Sequence, residues 1–124
     1  MLIMGGVKRT HVVRGEITLP SADLPAETAD VIVQVEDVSR ADAPSLVIGE
    51  QRQSGVSLRP GAVLPFAVEI PAEIVDERRN YAVSVHIDLS GSGQVEVGDL
   101  VSTQTYPVLT RGYGNEVWIK VTRV

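Results

Sequence analysis

Residues 81–89 read Y-A-V-S-V-H-I-D-L, and apolar side chains alternate with smaller or more polar ones along the whole stretch. Successive side chains on a β-strand point to opposite faces, so this period of two predicts a strand with one buried face. Six further segments are strand candidates: 10–19, 30–38, 46–53, 63–70, 97–106 and 116–124. About seven short strands separated by turn residues predict an all-β fold, a single-domain antiparallel β-sandwich.

Two proline positions refine this prediction. Pro65 lies inside the fourth strand candidate, and because proline has no backbone N–H to donate, it places that strand at a sheet edge. Pro71 opens residues 71–76, where Glu73 in the first turn suits the positive end of a helix dipole. We therefore expect one short helical turn, and a hairpin tip at residues 90–93, S-G-S-G.

Length and composition agree with a small β-domain. The chain has 124 residues, and Val and Ile together account for 29 of them. Branched side chains favour strands over helices. We assign residues 10–124 to one domain and residues 1–9 to a flexible N-terminal segment. The absence of cysteine excludes disulfides, cysteine zinc sites and a cysteine nucleophile.

Charge and hydropathy limit the partners and the location. The net charge of −5 argues against nucleic acid or an anionic membrane surface as the main partner. No apolar run approaches the roughly 20 residues that span a bilayer. At the N-terminus Lys8 and Arg9 follow the apolar residues, whereas a secretory signal has its basic residues first. As written, the chain is expected to be cytoplasmic.

Residues with catalytic or metal-binding chemistry are few. A metal site would require His11 and His86, the only histidines, to converge with a carboxylate such as Asp88. Ordinary strand histidines are the better interpretation, and we predict no metal and no cofactor. The chain has no nucleophile elbow, phosphate loop or dinucleotide motif, so we predict no enzyme. A hydrolase remains an alternative that would need His86, a serine and a carboxylate in one pocket.

Four aromatic residues suggest structural or binding roles. Tyr81 follows the predicted helical turn, where its ring can be buried and its hydroxyl bonded back to the chain, as in a tyrosine corner. Tyr106, Tyr113 and Trp118 are candidate partner-binding residues, since tyrosine and tryptophan are favoured at interfaces. The same three rings could instead form a stacking platform for a small molecule or a glycan.

Several motifs resemble a known family. They are V-R-G-E-I-T-L-P at 13–20, V-x-V-x-V-E-D-V-S-R-A-D-A-P-S at 31–45, L-P-F at 64–66, the corner and strand at 74–87, and Y-P-V-L-T-R-G at 106–112. The most specific part is D-x-S-x-A-D-A-P-S at 37–45. On these residues the chain resembles the YbaY/YscW-like lipoproteins, whose characterised branch serves type III secretion as a lipoprotein chaperone, or pilotin.

The resemblance implies a function as well as a fold. It implies a non-catalytic interaction module that binds a peptide or protein, and in the pilotin branch this partner is an outer-membrane secretin. It also implies a periplasmic or outer-membrane lipoprotein, held by a lipid on an N-terminal cysteine that this sequence lacks. The cytoplasmic location expected from the sequence as written and the periplasmic or outer-membrane location implied by the resemblance would agree if the N-terminus had been truncated. A homodimer through strand edges stays open.

Overall fold

The computed structural model describes residues 9–22, 24 and 27–124. Residues 1–8, most of the predicted flexible segment, lie outside the described residues. The described chain forms eight strands and one short 3-10 helix, in the order β1 Thr10–Thr18, β2 Thr28–Asp37, β3 Leu46–Ser57, β4 Val63–Pro71, the helix Ala72–Ile74, β5 Tyr81–Asp88, β6 Leu100–Ser102, β7 Tyr106–Val108 and β8 Glu116–Arg123.

The strands form a continuous sheet instead of two separate layers. Their order is β3-β2-β5-β6-β8-β1-β4, and β7 pairs with β5 beside β6. Strand β8 pairs antiparallel with β6 and parallel with β1, which joins the two halves of the sheet. The all-β single domain is confirmed, whereas the sandwich is corrected to a nearly closed, barrel-like sheet because β8 belongs to both halves.

The alternation in the sequence correctly predicts which faces are buried. The inward side chains of five strands pack into one hydrophobic core. The buried core members predicted from the alternation are Val13, Ile17, Leu19, Val31, Val33, Val35, Phe66, Val68, Ile70, Tyr81, Val83, Val85, Ile87, Ile119 and Val121. Three further residues predicted on the same faces, Leu64, Leu89 and Val117, are only partly buried and pack against this core.

The gap between the two end strands is bridged by side chains. On β3, Gln51 accepts a hydrogen bond from the Ala67 N–H of β4 at 3.0 Å, and Gln53 donates one to the Pro65 carbonyl at 3.3 Å. The edge position predicted from Pro65 is confirmed, since β4 ends the strand order. At Gly49 a Cβ would lie 2.2 Å from Cδ1 of Ile70, so a larger residue here would require the end of the Ile70 side chain to move.

The predicted sixth strand is divided in two. It was expected over residues 97–106, but β6 begins at Leu100, and β7 is separate from it. Residues 89–99 form a longer loop than the predicted hairpin tip because the side chains of Asp88 and Asp99 bond the backbone of that loop. The break between β6 and β7 raises the number of strands to eight.

The tyrosine corner predicted at Tyr81 is confirmed. The ring is buried, and its hydroxyl accepts the Asp76 N–H at 2.9 Å and donates to the Ile74 carbonyl at 3.4 Å. The helical turn that was predicted at 71–76 is the 3-10 helix Ala72–Ile74. Tyr81 thus ties this helix to the start of β5.

Candidate partner-binding groove

An apolar groove crosses the outer face of β4, β1 and β8. The strand register places Pro65 opposite Glu16, and Glu16 opposite Trp118. The next row of the sheet on this face contains Ala67, Arg14 and Glu116 in the same strand order. These two rows line an open cavity of about 500 Å³.

Trp118 dominates this groove. Its neighbours in sequence, Val117 and Ile119, point inward, so the indole projects outward and is 66% exposed. Tryptophan carries a large apolar area, and a partner that covers it gains the free energy of removing that area from water. Glu16 and Glu116 beside the indole would favour a basic group on the partner.

Gly15 sets the spacing of the groove. A Cβ at this position would lie 1.8 Å from the Val117 carbonyl oxygen and 3.0 Å from the Phe66 ring. Glycine is thus the residue that lets β1 and β8 approach for parallel pairing, and it gives the groove access to the edge of Phe66.

The other two predicted binding residues lie elsewhere. Tyr106 packs against the core, and its hydroxyl accepts the Lys120 N–H at 3.1 Å, which gives the ring a structural role. Tyr113 is 54% exposed in the turn before β8. The structure does not bring these rings together with Trp118 on one surface, so the platform for a small molecule or a glycan is not favoured.

The motif that carries most of the resemblance serves the fold. Asp37 accepts the N–H and the hydroxyl of Ser39 and a hydrogen bond from Arg79, and the Ser39 hydroxyl accepts the Asn80 N–H. Burial alone would raise the pKa of Asp37, but the hydrogen bonds from Ser39 and the charge of Arg79 keep it below its ordinary value. These bonds fasten the connection after β2 to the corner before β5.

A second cluster of polar side chains lies at the far end of β5. His11 and His86 do not converge, because two strands separate β1 from β5 in the sheet. His86 instead meets two aspartates: its Nε2 lies 2.8 Å from an Asp99 carboxylate oxygen, and Asp88 lies beside both. Each of the three offers a metal-ligand atom, and these atoms lie within 4.8 Å of one another.

The sequence patterns did not identify Asp99 as a partner of His86. It is separated from His86 by 12 residues of loop and strand, and only the return of the chain along β6 places it there. Asp99 is 1% exposed and Asp88 is 2% exposed. The spacing of acids and glycines between Asp88 and Asp99 was the available signal.

The carboxylates of this cluster mainly accept hydrogen bonds from backbone N–H groups of the loop at residues 89–99. Burial raises the pKa of the Asp99 carboxyl, but His86 and the N–H groups of Leu89 and Glu96 outweigh it, so the pKa lies below its ordinary value. The pKa of Asp88 is likewise lowered, chiefly by the N–H groups of its glycine partners in the loop. Ser102 lines the same cavity as His86, and its hydroxyl accepts the Val85 N–H at 2.9 Å. The Nε2 atom of His86 is bonded to Asp99.

The lowered pKa values predict a loss of stability in acid. An unfolded aspartate titrates at about 3.9, above its value in the folded state, so the stabilisation is complete above about pH 5 and is lost as the pH falls through the folded values. We expect urea unfolding midpoints to fall between about pH 5 and pH 2.5. Asp76 contributes to the same loss of stability in acid, since hydrogen bonds from Arg78 lower its pKa to about 2. In the D99N variant the urea midpoint should therefore fall less steeply with decreasing pH than in the wild type, but it should still fall. If D99N shows the same pH dependence as the wild type, Asp99 does not contribute to the loss of stability in acid.

These observations define the class of the protein: a small single-domain β-protein with a barrel-like sheet and an open aromatic groove on its outer face. The family follows from the sequence. Residues 8–121 match the YscW family, described as the type III secretion system lipoprotein chaperone, and the chain belongs to this family.

A solved structure has the same fold. It is an alternative pilotin from the type II secretion system of Vibrio cholerae, with a TM-score of 0.75 and 24% identity over 94% of this chain and 98% of the other. No curated protein matches the sequence. Among the described residues, no helix has the length and apolar character needed to cross a membrane.

Proposed function

We propose that this protein is a non-catalytic chaperone that binds a segment of a secretin subunit in the groove around Trp118. The observation that carries the proposal is the exposed indole beside Pro65 and Ala67 on an open sheet surface. Membership of a family of lipoprotein chaperones supports a protein as the partner. We place the encounter in the periplasm, where lipoproteins of this family act.

The chemistry of the groove describes the segment that it would accept. Trp118 and Pro65 favour aliphatic or aromatic side chains on the partner. Glu16 and Glu116 outnumber Arg14 at the rim, so a basic side chain next to the apolar ones would be preferred. We therefore expect a short segment that combines apolar residues with at least one lysine or arginine.

The test is a binding assay with labelled, overlapping peptides that span a secretin encoded in the same genome. Fluorescence anisotropy should identify a peptide that binds the wild-type protein. We expect W118A to weaken this binding about tenfold or more, because truncating a central aromatic at an interface typically costs more than about 1 kcal/mol. Since the indole is exposed, W118A should melt within a few degrees of the wild type.

Tyr113 provides the matched control, because it is also an exposed aromatic residue but lies outside the groove. Y113A should bind the peptide as the wild type does. If no secretin peptide binds, or if W118A and Y113A bind equally well, the groove is not the binding site.

A further inference from the structure

The first residues of β1 lack a neighbouring strand on one side. Strand β1 begins at Thr10, but its parallel pairing with β8 begins only at Arg14. The Arg14 N–H faces β8 and donates to the Asn115 carbonyl at 2.9 Å. Backbone groups of alternate residues on a strand face the same side, so those of Thr10 and Val12 face this side too. Among the residues that the structure describes, none bonds the N–H or the carbonyl of Val12 on this side, and residues 10–13 thus form an open edge.

The turn that leads into β8 is fastened away from the open edge. The Thr110 hydroxyl donates to the Arg79 carbonyl at 2.6 Å, and the Arg111 guanidinium donates to the Arg78 carbonyl. Both carbonyls belong to the corner before β5. Leu109 and Arg111 have φ of +73 and +61, a strained region for residues that carry a side chain. These bonds draw the turn toward the corner and not across the open edge.

The open edge borders a cleft that continues the groove. The cleft is lined by Thr10, His11, Gly114 and Asn115, and by three residues that also line the groove, Val12, Arg14 and Glu116. A Cβ on Gly114 would meet nothing within 4 Å, so this wall of the cleft leaves room for a chain. Val12 lies about 13 Å along β1 from Glu16, the residue opposite Trp118. One extended segment of about six residues therefore reaches from the indole to the open edge.

An extended polypeptide has the chemistry that this edge accepts. An unpaired strand edge binds a second chain through main-chain hydrogen bonds, while the side chains of that chain enter neighbouring pockets. A helical segment cannot pair in this way, because its backbone groups are already bonded within the helix. Glu116 lies where the cleft meets the groove, and its charge favours a basic side chain on the bound segment.

We propose that the secretin segment binds in an extended conformation and adds a strand to the open edge. Its backbone bonds those of Thr10 and Val12, and one of its apolar side chains contacts the Trp118 indole. This inference rests on the proposed function and names the conformation of the segment that the groove accepts. The main-chain bonds contribute affinity for any extended sequence, whereas the groove selects the side chains.

The test is amide hydrogen exchange of the full chain by NMR, with and without the secretin peptide that binds in the anisotropy assay. In the free protein we expect the Val12 N–H to exchange fast. The Val13 N–H should exchange slowly, because it faces β4 and pairs with Val68. The bound peptide should slow the exchange of Val12 at least about tenfold and leave that of Val13 nearly unchanged.

Two variants of Val12 separate its N–H from its side chain. V12P removes the N–H, and proline is tolerated on a strand edge where the N–H has no partner. V12A removes most of the side chain but keeps the N–H. V12P should bind the peptide at least about fivefold more weakly than V12A, since one hydrogen bond is lost.

Methylation of the peptide backbone gives a second measurement that does not depend on the folding of V12P. Alternate N–H groups of an added strand face β1, and the others face away. Methylating one alternate set should weaken binding at least about fivefold, while methylating the other set should leave it unchanged.

Three results would overturn the inference. The first is a Val12 N–H that already exchanges slowly in the free protein, because the chain itself then covers the edge. The second is a peptide whose binding is weakened by W118A but which leaves the exchange of Val12 unchanged; the groove would then stand and the added strand would not. The third is equal binding by V12P and V12A together with equal binding of the two methylated peptides. If no secretin peptide binds at all, the proposed function and this inference fail together.

Discussion

Replacing Gly15 with valine should leave the chain without a stable native fold. The Cβ of the new residue would lie 1.8 Å from the Val117 carbonyl oxygen and 2.8 Å from its carbon, and these are backbone atoms that cannot move aside cheaply. The clash falls on the parallel pairing of β1 with β8, the contact that joins the two halves of the sheet. We expect a loss of more than about 4 kcal/mol, which places G15V among the exceptional destabilising substitutions.

Urea unfolding followed by circular dichroism measures this loss. G114V is the matched control, because a Cβ on Gly114 meets nothing within 4 Å. G114V should unfold within about 1 kcal/mol of the wild type, since substitutions at open surface positions cost little. If G15V unfolds at the same urea concentration as G114V, the close approach of β1 and β8 is not what holds the sheet together.

Replacing Asp99 with alanine should cost about 2–4 kcal/mol of unfolding free energy. The carboxylate accepts hydrogen bonds from the N–H groups of Leu89 and Glu96 and from the His86 ring, and it is 1% exposed. Its removal leaves these donors without a partner, and each unsatisfied buried group costs about 1–3 kcal/mol unless water reaches it. The loop at residues 89–99 should become more mobile, because it loses the hydrogen bonds that Asp99 accepts from its backbone.

The measurement is urea unfolding followed by circular dichroism. D42A, a substitution at an exposed aspartate, should change the stability by no more than about 0.5 kcal/mol. In a double-mutant cycle, H86A should cost less in the D99A background than alone, because the two side chains share one bond. Independent, additive losses would contradict the role of the His86–Asp99 pair.

The sequence predicted the strands well because their signal is local. Alternation identified the buried face of β1 from Val13 and Ile17, and the same logic placed Trp118 outward on β8. The edge position of Pro65 followed from its missing donor. Each of these inferences needs only the residue and its near neighbours.

The pairing of distant strands carries no such local signal. The parallel contact of β1 with β8 joins residues about a hundred positions apart, and it turns the expected sandwich into a barrel-like sheet. For the same reason the encounter of His86 with Asp99 was not predicted. The proposed platform of three rings also depended on the pairing of distant strands, and the structure packs the half-buried Tyr106 against the core, with its hydroxyl bonded to the Lys120 N–H.

The emission of Trp118 tests the central claim most directly. It is the only tryptophan of the chain, so its fluorescence reports on the groove alone. When the secretin peptide is added, the emission should move to shorter wavelength, since the indole passes from water to an apolar contact, and it should saturate with the midpoint that anisotropy gives. A peptide that binds by anisotropy while the Trp118 emission stays unchanged would show that the partner binds elsewhere.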